Sequence, residues 1–116
     1  MSTYFRLQDL TTLAETTKQR VEDAVDISSY RTLVVQVRRP VAADATSAGV
    51  LYLQHAAVLD EASFVDVPNA NVSLITNGTT VVTAHDLLRY VRWRAEFTSV
   101  AATGAQFLID VVAREN

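Results

Sequence analysis

The feature that most constrains the fold of this chain is an alternation of apolar and polar residues with a period of two. From Arg89 to Phe97, apolar residues occupy every second position and charged residues fill most of the positions between them. Because successive side chains of a β-strand point to opposite faces of the sheet, this spacing predicts an antiparallel strand with one buried and one wet face. We expect Val91, Trp93, Ala95 and Phe97 to point inward and Arg92, Arg94 and Glu96 to point outward.

Further strands follow from the same pattern and from the composition. Seventeen valines and thirteen threonines among 116 residues favour a pleated, half-buried surface over helix. The segment Thr32–Arg38 places Leu33, Val35 and Val37 on one face, and Pro40 is expected to end that strand because proline cannot donate a backbone hydrogen bond. Other strands are predicted at residues 50–55, 63–67, 71–76, 79–83 and 106–114.

Two dipeptides predict where strands stop or turn. Pro68-Asn69 is expected to stop the strand Ser63–Val67. Asn77-Gly78 stands between the alternating segments Asn71–Thr76 and Thr79–Thr83, and both of its residues accept a positive φ. The sequence therefore predicts a tight β-hairpin in which these two segments pair directly. His85-Asp86-Leu87-Leu88 is predicted to form a short turn before the next strand.

The segment from residue 7 to residue 25 fits two interpretations. Leu10, Ala14, Lys18, Val21 and Val25 recur at helical spacing, whereas doubled threonines disfavour a helix. We predict strands joined by a loop, with a helix as the alternative. Seven to nine short strands without a long helical segment predict an all-β fold, a single antiparallel β-sandwich of the jelly-roll kind, in one domain spanning residues 1–116.

Composition excludes several classes of function. The chain has no cysteine, so thiolate metal sites, disulfides and cysteine nucleophiles are impossible. A net charge of −3 argues against nucleic acid as the main partner, since that affinity depends on clustered cations. No run of eighteen apolar residues spans a bilayer, which argues against a membrane partner. The first residues lack the apolar stretch of a signal peptide, which predicts a cytoplasmic protein.

Catalytic and metal-binding patterns are also missing from the sequence. His55 and His85 do not have the spacing of metal ligands. His85-Asp86 has the residue types of a hydrolytic triad, but no strained elbow motif surrounds any serine. Asp60-Glu61 and Asp66 resemble part of a calcium or acid–base site, yet they lack further oxygen ligands at regular spacing and are read as solvated turn residues. We expect a non-enzymatic protein without a cofactor or metal.

A resemblance to known modules covers about two thirds of the chain. Leu53-Gln54 is followed by an acidic turn and a Ser-Phe-x-Asp-Val strand within residues 60–67, and Leu88–Arg94 adds an Arg-Tyr-Val-Arg strand. This pattern resembles small jelly-roll sandwiches, both discoidin-like (galactose-binding-like) modules and structural proteins of phages and phage-derived particles. The second resemblance implies a virion-associated or particle-associated protein that assembles with itself or with other particle proteins.

Outward arginines and tyrosines are the residues that we expect to meet a partner. Arginines on the wet face of a sheet bind an acidic neighbour, or they form ion pairs with carboxylates such as Glu96. Apolar residues on both faces of several strands, namely Val34, Val82, Leu108 and Val112, favour self-association. Carbohydrate binding is the alternative, with Tyr52 and Tyr90 as exposed stacking residues while Trp93 lies in the core. The candidate interface or ligand residues are Arg38, Tyr52, Arg89, Tyr90, Arg92 and Arg94.

Overall fold

The fold is known from a computed structural model that describes residues 2–115. Nine strands and three single turns of 3₁₀-helix cover this range. The strands are β1 (Ser2–Leu13), β2 (Thr17–Lys18), β3 (Val25–Asp26), β4 (Thr32–Val41), β5 (Val50–Ala56), β6 (Val65–Ser73), β7 (Gly78–Ala84), β8 (Tyr90–Glu96) and β9 (Ala105–Arg114). The turns are Val21–Asp23, Ala45–Ser47 and Glu61–Ser63.

The strands form two antiparallel sheets that pack face to face. Sheet A has the order β1-β9-β4-β7, and sheet B has the order β2-β8-β5-β6, with β3 also paired to β8. The pairing is nested, because β1 pairs with β9, β2 and β3 with β8, β4 with β7, and β5 with β6. This arrangement is a jelly roll, which confirms the predicted all-β sandwich.

The core lies between the two sheets and is built by the predicted alternation. Leu33, Val35 and Val37 of β4 are buried, and they face Leu51 and Leu53 of sheet B. The inward residues of β8 and β9 complete the core. Trp93 meets Phe107 edge to face with ring centroids 5.4 Å apart, and its indole nitrogen donates to Gln8 Oε1 at 3.0 Å. The core position predicted for Trp93 is therefore confirmed.

The hairpin predicted at Asn77-Gly78 is wrong. The strand before it, β6, pairs with β5 in sheet B, whereas β7 after it pairs with β4 in sheet A. The dipeptide carries the chain from one sheet to the other, and only Gly78 has a positive φ, at 115°. Arg39, which is 5% exposed, holds this crossing by donating to the carbonyl oxygens of Gly78 and Ser73.

Neither of the two prolines ends its strand as predicted. Pro40 lies inside β4, and the pairing of β4 with β9 shifts between Arg38 and Val41. Pro68 lies inside β6, where the register against β5 shifts and Asn69 adopts a positive φ of 60°. Both residues are tolerated because β6 is an edge strand and Pro40 lies beyond the last β4–β7 pair.

The N-terminal third forms strands, as predicted over the helical alternative. β1 runs along β9 with two register shifts, and the two short strands β2 and β3 both lie against β8. Backbone pairing with β8 and β9 overrides the helical spacing of the apolar residues. No helix within residues 2–115 is long and apolar enough to cross a membrane.

Candidate functional site on the outer sheet faces

The outer face of sheet B carries three arginines that stack on aromatic rings. The guanidinium carbon of Arg94 lies 4.1 Å from the ring centre of Tyr52, its cross-strand partner on β5. Arg92 lies 4.3 Å from the ring of Phe64. Arg89, just before β8, lies 5.1 Å from the ring of Tyr90. The structure therefore brings five of the predicted candidates together on one face.

Each of these arginines also binds a carboxylate of the same chain. Arg94 donates to Asp66 at 2.7 and 2.8 Å and to Glu96 at 3.1 Å. Arg89 donates to Asp26 at 2.9 Å. Lys18 adds a fourth cation and lies 3.6 Å from Glu61. The face balances four cations with four carboxylates: Arg89, Arg92, Arg94 and Lys18 with Asp26, Glu61, Asp66 and Glu96.

Arg92 differs from its prediction, because it points outward yet is only 1% exposed. The turn Glu61–Ser63 and the following Phe64 fold over it. Its guanidinium donates to Gln54 Oε1 and Glu61 Oε1, both at 2.9 Å, and to the backbone oxygen of Gln19 at 3.0 Å. Arg92 therefore ties two strands and a turn together from inside this cover.

Arginines hold three carboxylates on this face, Glu61, Asp66 and Asp26, in their charged form. The hydrogen bond from Arg92 lowers the pKa of Glu61 to about 2. Hydrogen bonds from Arg94 and Arg89 lower the pKa of Asp66 and of Asp26 in the same way. Glu61 lies on an exposed turn, as predicted, and Asp66 is exposed but lies in β6, and both also serve as partners of arginines.

Tyr52 and Tyr90 are half-buried, and each ring already has a guanidinium on one side. A tyrosine binds a sugar by stacking its ring face on the sugar ring, and in Tyr52 and Tyr90 a guanidinium occupies one such face. Arg38 lies apart from these residues, on the outer face of sheet A, and within residues 2–115 its side chain makes no hydrogen bond or ion pair, although its charge adds to the hydrogen bond from Arg6 in lowering the pKa of Asp110. The six candidates therefore divide between two opposite faces of the sandwich.

The outer face of sheet A carries an apolar groove among polar and charged residues. A groove of about 310 Å³ runs across its strands, and Tyr4 and Val81 beside it are 61% and 57% exposed. Asp110 at its edge accepts hydrogen bonds from Tyr4 at 2.7 Å and Arg6 at 2.8 Å. The groove is lined by Tyr4, Val34, Gln36, Val81, Asp110, Val111 and Val112.

The apolar residues predicted to face a partner are partly placed as expected. Val34 and Val112 pair with each other on the outer face of sheet A, beside the outward but covered Leu108. Val82 instead packs against the core, and its neighbour Val81 takes the outward position. Because residues 81 and 82 are both valine, the sequence does not show which of them points outward. The pairing of β7 with β4 decides it.

The residues considered for catalysis do not form a triad. Ser63 Oγ donates to Asp60, and Ser99 Oγ donates to the backbone oxygen of Thr46. His85 is exposed on the turn before β8. His55 Nδ1 accepts from the Leu88 amide at 3.1 Å, and burial lowers the pKa of His55. Among residues 2–115, no cluster of acidic or histidine side chains has an arrangement that holds a metal ion.

Two contributors to these surfaces escaped the sequence analysis. Arg39 was not among the candidate residues, although it has the same parity as the inward residues Leu33, Val35 and Val37 of β4 and is buried accordingly. Its position in the alternation of β4 was therefore the signal that its side chain points inward. Phe64 covers Arg92 and follows the turn Glu61–Ser63. The spacing of apolar and polar residues does not predict that this turn folds over the sheet.

Known proteins resemble the chain in fold only. No protein-family model and no curated protein sequence matches it. A structure of Bacillus endospore appendages, described as disulfide-linked pili, is 12% identical over 100% of this chain and 90% of that chain, with a TM-score of 0.54. The SPBc2 prophage-derived protein YomS is 12% identical over 98% of this chain and 94% of that chain, with a TM-score of 0.56. The predicted resemblance to a phage-derived jelly-roll module is confirmed at the level of the fold.

Proposed function

We propose that this protein is a non-enzymatic building block that assembles with copies of itself into a larger, phage-like particle or appendage. In this proposal the single jelly-roll domain is a rigid subunit. It acts through contacts made by its surface and not through a catalytic site.

The contrast between the two outer faces carries the proposal. On sheet B, stacking and ion pairs within the chain satisfy the arginines that were candidates for binding a partner. On sheet A, an apolar groove is open to solvent, and its lining includes Tyr4, Val34, Val81 and Val112. Exposed apolar surface with a polar rim is typical of protein–protein contact sites.

The fold supports the same proposal. The spore appendage protein, which shares the sandwich, forms pili, and YomS derives from a prophage. We extend assembly from the appendage protein to this chain as a hypothesis. The groove on sheet A is the feature of this chain that motivates the extension.

Light scattering coupled to size-exclusion chromatography tests the proposal. We expect the mass of the purified chain to rise with concentration above 12.7 kDa, the mass of one chain, to a defined multiple. A constant mass of 12.7 kDa at every concentration would contradict assembly with copies of itself.

A further inference from the structure

Three of the four sheet edges carry features that oppose pairing with another strand. A sheet edge exposes unpaired backbone N–H and C=O groups, and proteins protect such edges with charges, prolines, bulges or very short strands. β1 carries the exposed Arg6 and Asp9 and two register shifts. β6 contains Pro68 and a shift in register. β2 and β3 are two residues long each.

The fourth edge, β7, has none of these features. It is seven residues long and contains no charged residue and no proline. Its register against β4 is continuous from Arg39↔Gly78 to Leu33↔Ala84. Within residues 2–115, its backbone is paired on the β4 side only. β7 is thus a neutral strand of continuous register, and within residues 2–115 its outer edge is not paired with another strand.

We propose that β7 pairs with β7 of a second copy of this chain, which joins two copies of sheet A into one eight-stranded antiparallel sheet. This inference rests on the proposed self-assembly and names the edge that joins the copies in pairs. A second copy is the occupant because β7 is the only open edge among the described strands. An edge that meets its own copy forms a closed, two-fold contact.

The sequence of β7 fits such a two-fold pairing centred on Val81. The side chains that face outward are Thr79, Val81 and Thr83, a pattern that is the same in both directions. With Val81 opposite its copy, each Thr79 lies opposite a Thr83, and threonine pairs are favourable across strands. No like charges meet, because β7 carries none. The pairing also brings the two apolar grooves side by side, since Val81 lines each of them.

A charged residue at the centre of the pairing tests the edge. V81K is expected to raise the dissociation constant of the dimer about tenfold or more, because two like charges then meet at the two-fold axis. V65K is the matched control, since Val65 is a similarly exposed valine (53%) on the other long edge strand of this side, β6. Circular dichroism checks that both variants keep the wild-type strand content.

A pair of double variants tests the register. T79K/T83K places like charges opposite each other in the pairing centred on Val81, and T79K/T83E places opposite charges there. We expect light scattering to find monomer for the first variant and dimer for the second. Equal masses for the two double variants would overturn this register.

The outcomes separate this inference from the proposal on which it rests. A wild-type protein that stays monomeric contradicts self-assembly, and the β7 pairing with it. A wild-type protein that assembles, together with a V81K variant that assembles equally well, overturns the β7 pairing alone. Loss of assembly in V81K but not in V65K supports the pairing, and loss in both variants overturns β7 as the specific edge.

Discussion

The two outer faces of this sandwich differ in how far their side chains find partners within the chain. On sheet B, cations, carboxylates and aromatic rings satisfy one another, as in the stack of Arg94 on Tyr52 with Asp66 alongside. On sheet A, Val34, Val81 and Val112 face solvent beside an open edge strand. Ion pairs and cation–ring stacks thus cover the outer face of sheet B, whereas that of sheet A combines the Arg6–Asp110 ion pair with unpartnered apolar residues. The difference shows that a row of arginines is evidence for a binding site only when their partners lie elsewhere.

The largest effect is expected from removing the buried guanidinium of sheet B. Arg92→Ala leaves the oxygens of Gln54 and Gln19 without their donor and takes the stacking partner from Phe64. We expect the free energy of unfolding to fall by about 3 kcal/mol, measured by urea denaturation.

Arg38→Ala is the matched control for that change. Arg38 is an exposed arginine on sheet A, so its removal should alter the free energy of unfolding by less than about 0.5 kcal/mol. Equal losses in the two variants would erase the distinction between the faces.

Low pH should reduce the free energy of unfolding through protonation of Glu61 on sheet B. Its pKa is about 2 in the folded protein, below the ordinary value of 4.5 for a glutamate, so its contribution to stability is complete above that ordinary value. The contribution is lost as the pH falls through about 2. We expect E61Q to have a shallower dependence of unfolding free energy on pH across this window, measured by urea denaturation at a series of pH values. A slope equal to that of the wild type would show that the Arg92–Glu61 pair does not contribute.

The smallest loss of stability expected on sheet B is at the stacked tyrosine. Tyr52→Leu removes the ring under Arg94 but keeps apolar volume, and should cost about 0.5–1 kcal/mol by thermal or urea unfolding. Tyr4→Leu on the other face is the control and should cost less, because Tyr4 is exposed, stacks on no guanidinium within the described residues, and leaves Asp110 with its hydrogen bonds from Arg6 when its hydroxyl is lost. If Tyr52→Leu instead leaves stability unchanged and abolishes binding to a glycan array, Tyr52 serves a sugar rather than Arg94.

The sequence predicts the strands and the core well because both depend on local alternation. The inward residues of β4 and β8 followed from period two alone. The error at Asn77-Gly78 has a different origin, since a turn dipeptide forms a hairpin only when the flanking strands share a sheet. The jelly roll sends β6 and β7 to different sheets, and that choice is set by pairing with β5 and β4.

The candidate site was predicted less completely, because its character depends on contacts between distant parts of the chain. Alternation placed Arg92 on the outer face, but its burial requires Phe64 and the turn before it. The open edge of β7 depends on the order of strands in sheet A, which the spacing of residues 78–84 does not contain. Local pattern fixed the direction of each side chain, and the topology decided what that side chain meets.

Hydrogen–deuterium exchange followed by mass spectrometry, at low and high protein concentration, tests assembly through the β7 edge of sheet A. Amides of β7 (Gly78–Ala84) should exchange more slowly as the protein associates, while those of β6 (Val65–Ser73) should keep the same rate. Slower exchange in β6 or over the arginine stacks of β8, with β7 unchanged, would contradict assembly through sheet A.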